Sequence, residues 1–188
     1  YHKVIFVLTG DMMYYPENSQ NAVYNMNTPR FIGVAGTITS ISDYENNGCV
    51  KLFQLAKDGG GTVDFMVDSG TYIVNNEPYS EGMRVTFYYD TNQPAVLMYP
   101  PQYRAVVGVS ENAVGSGESV KVDYFNRNLI SSDNTLRLNI GPDTMIYMQN
   151  GQYFNGSVRG RDLVVFYSIT TMSIPAQTTP QKIVVLCY

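Results

Sequence analysis

The stretch Phe31-Ile32-Gly33-Val34-Ala35-Gly36-Thr37-Ile38-Thr39-Ser40-Ile41 decides how the rest of the chain is read. Its β-branched residues fall at near-alternating positions, the pattern of a pleated, half-buried strand. Gly33 and Gly36 interrupt it, as at a bend or bulge that curls a sheet into a barrel. Asp43 to Gly48 then reads as a turn, because Asn46-Asn47-Gly48 tolerates positive φ. Val50 to Ala56 is a second strand, and Lys57-Asp58-Gly59-Gly60-Gly61 a tight reversal. In the third strand Val63, Phe65 and Val67 alternate with Thr62, Asp64 and Met66. The three form an antiparallel meander.

Further along, one series of landmarks occurs twice. Thr71-Tyr72-Ile73, Gly82, Val85-Thr86-Phe87-Tyr88-Tyr89 and Pro101-Gln102 come first. Thr144-Met145-Ile146, Gly160, Leu163-Val164-Val165-Phe166-Tyr167 and Pro180-Gln181 follow in the same order. The second series has extra residues near Gln149-Asn150-Gly151-Gln152, where a polar loop accepts them. The reading is a duplication. Residues 1–30 form an N-terminal strand (Lys3 to Thr9) and an extended segment. Residues 31–109 are a first β-barrel unit, 110–117 a Gly- and Ser-containing linker, flexible in composition but short, and 118–188 a second unit. No segment has a sustained helical period, and Pro and Gly are spread too evenly for long helices. The expected fold is all-β, as two tandem small Greek-key (OB-like) barrels; two small β-sandwiches are the runner-up.

Composition narrows the function classes. The 188 residues include 16 Tyr, 8 Phe, no Trp and one His, with a net charge of −4. That balance argues against a nucleic-acid binder, whose phosphate contacts need Lys and Arg. No apolar run is long enough for a membrane-spanning helix. The single His2 lies near the start, which removes most of the case for His-based triads or His-rich zinc sites. No cofactor and no metal are expected. Met12, Met13 and Met26 read as gap-filling or surface residues rather than soft-metal ligands. The oxygen-rich segments 43–48 and 131–134 lack the twelve-residue calcium loop and read as hairpin turns. Cys49 and Cys187 are two separate buried thiols or, alternatively, a pair. No signal peptide is visible, since Val4 to Leu8 is short for its apolar core. The chain reads as processed from an extracytoplasmic protein.

Among the carboxylates, Asp43 with Glu45, Asp64 with Asp68, Glu77 with Glu81, and Asp123 have no spacing that sets two across a cleft, as glycoside hydrolysis requires. Aromatics offer the better candidates. Tyr88, Tyr89, Tyr99 and Tyr103 gather around a Pro-rich loop. Alternation along a strand sends one of Tyr88 and Tyr89 inward and the other outward. The outward one either packs under the loop or joins Tyr99 and Tyr103 in a flat platform for a sugar or peptide. Tyr89, Tyr99 and Tyr103 are therefore the candidate ligand-binding residues.

Gly36-Thr37-Ile38-Thr39-Ser40-Ile41, Ser69-Gly70-Thr71-Tyr72-Ile73-Val74, Glu81-Gly82-Met83-Arg84-Val85-Thr86-Phe87-Tyr88-Tyr89-Asp90 and Met98-Tyr99-Pro100-Pro101-Gln102-Tyr103 together resemble a small β-barrel module of secreted Gram-positive proteins. That module is often found with domains similar to the N-terminal domain of copper amine oxidases. The resemblance covers about residues 31–109. It implies a secreted or cell-surface location and a barrel fold, and carries over no catalytic residue and no copper ligand. In the second unit Pro175 and Pro180 are spread apart with no Tyr beside them. The expected protein is a non-catalytic structural or interaction module of the cell surface. The alternatives are a cell-wall or carbohydrate-binding module using the Tyr/Pro surface, an adaptor that pairs a partner's strand with a free edge, and an enzyme.

Overall fold

A computed structural model describes residues 28–95 and 98–187. The Lys3 to Thr9 strand, His2 and Met12, Met13 and Met26 lie outside them. The protein is all-β: among the described residues there are thirteen strands and two 3-10 turns. No helix there is long and apolar enough to cross a membrane.

β1 (Phe31–Tyr44), β2 (Asn47–Lys57) and β3 (Thr62–Asp68) form the antiparallel meander. The first turn is tighter than residues 43–48. Glu45 and Asn46 alone take positive φ, and a two-residue turn of that hand matches the strand twist. Asp43 is thereby drawn into the ladder opposite Lys51, with which it also forms an ion pair. β1 serves two partners. Residues 31–37 pair with β5 (Arg84–Asp90), and 36–44 pair with β2. The changeover needs a close approach at Gly36, where a Cβ would lie 2.4 Å from the Ala56 carbonyl oxygen. A register shift between Ile38 and Ser40 completes the bend. β3 pairs in parallel with β6 (Gln102–Arg104). Across Ala105 and Val106 the chain enters β7 (Val107–Ser110), which pairs antiparallel with β5 and parallel with β4 (Tyr72–Ile73). Inside lie Ile38, Phe53, Leu55, Val63, Phe65, Val85 and Phe87.

The later half contains β8 (Ser119–Phe125), β9 (Leu136–Leu138), β10 (Met145–Met148), β11 (Arg161–Tyr167), β12 (Ala176–Thr178) and β13 (Lys182–Val185). β11 pairs antiparallel with β8 and β13, and β10 parallel with β13. β9 pairs in parallel with β12. Between β8 and β9 only single bridges form, Phe125 to Ser131 and Ile130 to Arg137. The apolar interior is Phe125, Leu136, Leu138, Leu163, Val165, Ile183 and Val185.

The same local hydrogen bonds recur around Thr71 and Thr144. Each hydroxyl donates over 2.8 Å to a carbonyl, Ala105 or Pro180, and accepts over 3.2 Å from the amide three residues earlier, Asp68 or Gly141. Gly82 and Gly160 both take positive φ before the following strand. The strand pairs correct one landmark. Val107 lies opposite Tyr88 as Lys182 lies opposite Phe166. Phe65 pairs with Tyr103 as Leu138 pairs with Thr178. Pro180 thus answers to Ala105, and Pro175 answers to Pro100. The matching of the two Pro-Gln pairs is four residues out, because backbone pairing around the threonines sets the register and Pro takes no part as a donor.

A third apolar cluster joins the halves: Phe31, Val74, Val107 and Val109 meet Val122, Val164, Phe166 and Val184. Residues 110–117 are not a loose tether. Ser110 is buried and its hydroxyl accepts from the Ala113 amide, while Val114 packs on the junction. Cys49 and Cys187 are unpaired and both exposed, which corrects the expectation of buried thiols. Cys49 falls on the open part of the β1–β2 hairpin, and Cys187 follows the last strand.

Candidate functional site

The three candidate tyrosines separate. Tyr89 on β5 and Tyr103 on β6 stack on each other, with ring centroids 4.0 Å apart and planes 16° from parallel. Phe65 lies behind them at 6.4 and 6.0 Å. They close one end of the first core, so each gives a ring face to the other. Tyr88 points the opposite way, as alternation requires, but that side is covered too: it packs on the junction cluster. Burial pushes its hydroxyl pKa up to about 12, with the Tyr167 hydroxyl adding to the shift. Tyr99 alone is open, 83% exposed on the loop that follows β5, and among the described residues it makes no ring contact with Tyr89 or Tyr103. A continuous Tyr89–Tyr99–Tyr103 platform is not formed.

Five of the exposed large apolar side chains sit on two corresponding loops, while Ile32, Tyr124, Ile140, Met145 and Tyr153 lie elsewhere. Residues 91–101 join β5 to β6 and expose Met98 and Tyr99; residues 168–175 join β11 to β12 and expose Ile169, Met172 and Ile174, the last 92% exposed. Ile174 occupies the place of Tyr99, and each precedes a cis proline. Neither loop carries a charged side chain. The second is braced from within. The Thr171 amide donates to the Gln177 carbonyl, the Gln177 amide to the Thr171 hydroxyl, and the Thr178 hydroxyl to the Ile169 carbonyl. The side chains are thus presented on a fixed frame.

Most of the carboxylates named from sequence are occupied structurally; Glu45, in the β1–β2 turn, makes no hydrogen bond or ion pair among the described residues. Asp64 accepts from Gln54, Asp68 pairs with Arg104, Glu77 accepts from the buried Ser110 hydroxyl, and Glu81 accepts from the Ile41 amide. Asp123 differs from these in that its side chain is wholly buried. Its Oδ1 accepts from the Arg30 amide, the Tyr124 amide and the Ser132 hydroxyl. Its Oδ2 has no hydrogen-bond partner, the Lys121 ammonium being 3.8 Å away. Asp162 has one buried oxygen without a partner, and Arg30 Nε is likewise unsatisfied while its Nη2 pairs with Asp90 at 2.9 Å. Burial raises the pKa of Asp123 against the pull of Ser132, Arg30 and Lys121. Burial also raises Asp162; Arg30 opposes that shift, and the charges of Asp90 and Asp123 add to it. Burial works against the charge of Asp133 as well, yet hydrogen bonds from Lys121, Ser131 and Thr135 prevail and hold it at about 2. A cleft of about 470 Å³ lined by Thr28, Arg30, Thr91, Tyr124 and Ser132 adjoins this cluster. Sequence reasoning missed Asp90 and Asp162. A charged residue flanking an apolar strand, as in Arg161-Asp162-Leu163, was the available signal.

It also missed a second stacked pair, Tyr147 with Tyr153, at 5.1 Å and 24°. No known family model matches the chain, and no curated protein matches it. One solved structure, described as "OBody AM3L09 bound to hen egg-white lysozyme", is similar over 43% of this chain and 80% of that chain, at 16% identity and a TM-score of 0.29, a likeness too slight to bear on fold or function.

Proposed function

We propose that the chain is a non-catalytic interaction module of the bacterial cell surface, made of two OB-type Greek-key barrels fused through a common core, and that it grips a protein partner with its two uncharged loops. The barrel reading is supported by the ladder β1–β2–β3–β6, closed through β7, β5 and back to β1, and by the equivalent parallel and antiparallel pairs of the second half. The surface location rests on the resemblance of residues 31–109 to a secreted Gram-positive module. The observation that carries the function is the placement of Met98, Tyr99, Ile169, Met172 and Ile174 on corresponding loops. Large apolar side chains held out on loops supply the kind of contact that carries most of the binding at a protein interface.

The cell-wall reading keeps one supporting observation, the open Tyr99 ring beside Pro100 and Pro101. Retention of the purified chain on Gram-positive cells, before and after protease shaving, separates the two. The interaction reading expects retention that is lost on shaving and lost in an Ile169→Ser/Met172→Ser/Ile174→Ser variant. Retention that survives shaving and fails only in Tyr99→Ala assigns the module to the wall glycan instead. Retention indifferent to both variants overturns the role given to the loops.

A further inference from the structure

We infer that the second half carries its own neutral-saccharide site, an aromatic platform formed by Tyr153 stacked on Tyr147. The extra residues of the second half build it. Ile146 to Phe154 is a hairpin closed by the Phe154 amide donating to the Ile146 carbonyl and the Met148 amide to the Gln152 carbonyl, with Gly151 at positive φ at its tip. The first half has no counterpart: there Val74 is buried directly after β4.

Tyr147 is anchored, since it packs against the junction core. Its hydroxyl donates to Met145 Sδ at 3.3 Å. Tyr153 lies on the outer side of that ring and is 69% exposed. One face of Tyr153 is held by Tyr147, and the other is open to solvent. The two tyrosines face each other as an antiparallel cross-strand pair, and their stacking holds the Tyr153 ring in place. The hairpin's rigid stem preorganises the ring as a flat contact surface.

The surroundings select the ligand class. Residues 144–158 themselves carry no charge, and the Arg161 guanidinium lies over the Phe154 ring, 5.1 Å from its centroid, rather than over the Tyr147–Tyr153 stack. Carboxamides crowd the tip. The Gln149 Oε1 accepts from the Cys187 amide and the Asn150 Oδ1 from the Gln152 amide. Their NH2 groups donate to no other described residue and are left for hydroxyl or carbonyl oxygens. An apolar ring face bordered by neutral amide donors matches a pyranose, which has an apolar C–H face and equatorial hydroxyls. The site stands apart from Tyr89, Tyr99 and Tyr103 and does not depend on the protein-partner reading above.

The test is a titration of the isotope-labelled full chain with cellohexaose, chitohexaose and xylohexaose, followed by NMR. At least one hexasaccharide is expected to shift the resonances of residues 146–154 saturably and to give contacts between sugar protons and the Tyr153 ring. Tyr153→Ala is expected to weaken that affinity about tenfold or more, a difference of about 1.4 kcal/mol, while Tyr153→Phe stays within about twofold. The ring contacts in the unaltered protein test the assignment without relying on a variant. Silence of all three sugars overturns the site. So does affinity unchanged in Tyr153→Ala, or saturable binding at this hairpin by a Pro-rich peptide with none by the sugars.

Discussion

The two halves hang similar strand pairings on different strands and fillings. In the first, the meander strands β1, β2 and β3 run 14, 11 and 7 residues, and the interior is ringed by Phe53, Phe65 and Phe87 in edge-on or tilted contact. In the second, the corresponding meander shrinks to β8, isolated bridges and the three-residue β9, and the interior is mainly Leu, Val and Ile. Longer strands bound a larger interior, and aromatic rings fill it to the density a core requires. The frame is held where the halves agree: the Thr hydroxyl bonds, the parallel pairs and the glycine before β5 or β11. Where they diverge, new features enter. Gly36, opposite Val85, corresponds to Asp123, opposite Leu163. The first half uses that position to bring two backbones together. The second places a buried carboxylate there, bound to the segment that precedes β1.

The sharpest way to break the comparison is to empty both cores at one matched position. Phe87→Ala should cost about 3–5 kcal/mol and Val165→Ala about 2 kcal/mol, both read from urea unfolding. Because Phe31, Val107, Val164 and Val184 form one cluster, both losses should appear in a single transition. Two transitions, with each variant moving only one, would show that the halves unfold independently. The Thr anchors come next. Thr71→Val leaves the Ala105 carbonyl without its side-chain donor inside the core and should cost about 1–3 kcal/mol. Thr144→Val should cost less, because Thr144 is less deeply buried. Equal losses would remove burial as the difference between them.

A smaller effect is the pH response confined to the junction. Asp162 has a raised pKa in the folded state, so the native protein holds this proton more tightly than the unfolded chain. Stability on this account is full below the ordinary carboxylate pKa of 3.8 and declines as pH rises through the raised value. Asp162→Asn should therefore gain on the parent toward neutral pH, the difference closing near pH 4. Asp133 acts in the opposite sense: its contribution is present above 3.8 and is lost as pH falls through about 2. Urea midpoints across pH test both, and a variant less stable than the parent at neutral pH would assign Asp162 a partner. Smallest of all, Tyr99→Ala and Ile174→Ala should change stability by no more than about 0.5 kcal/mol, since both side chains are exposed. A larger loss in a melting curve would mean that the loops support the fold rather than a contact.

Much of this was legible because strands advertise themselves locally. Alternation gave β3, the runs of β-branched and aromatic residues gave β5 and β11, and Gly82 and Gly160 marked the strand entries. The turn at Glu45-Asn46 was placed within two residues, since turn chemistry is local. The Tyr platform failed for the opposite reason. Tyr88 and Tyr89 were correctly sent to opposite faces, but a second core lies against Tyr88, and no pattern along one strand reveals what covers its outer side.

By itself the sequence determined the strands β1, β2, β3, β5 and β11 to within a few residues, the glycines that precede β5 and β11, and the absence of long helices among the described residues, all read from local pattern. Only the tertiary structure decided that Pro175 rather than Pro180 answers to Pro100, because pairing register is set by hydrogen bonds between distant strands. It alone brought the Arg30 amide to Asp123, 93 residues away, and placed Asp162 under the field of Asp90. It alone left Tyr99, Tyr153 and Ile174 outside. Exposure and electrostatic environment depend on which surfaces meet after folding, and side chains of identical type, such as Tyr88 and Tyr99, receive opposite fates from that meeting.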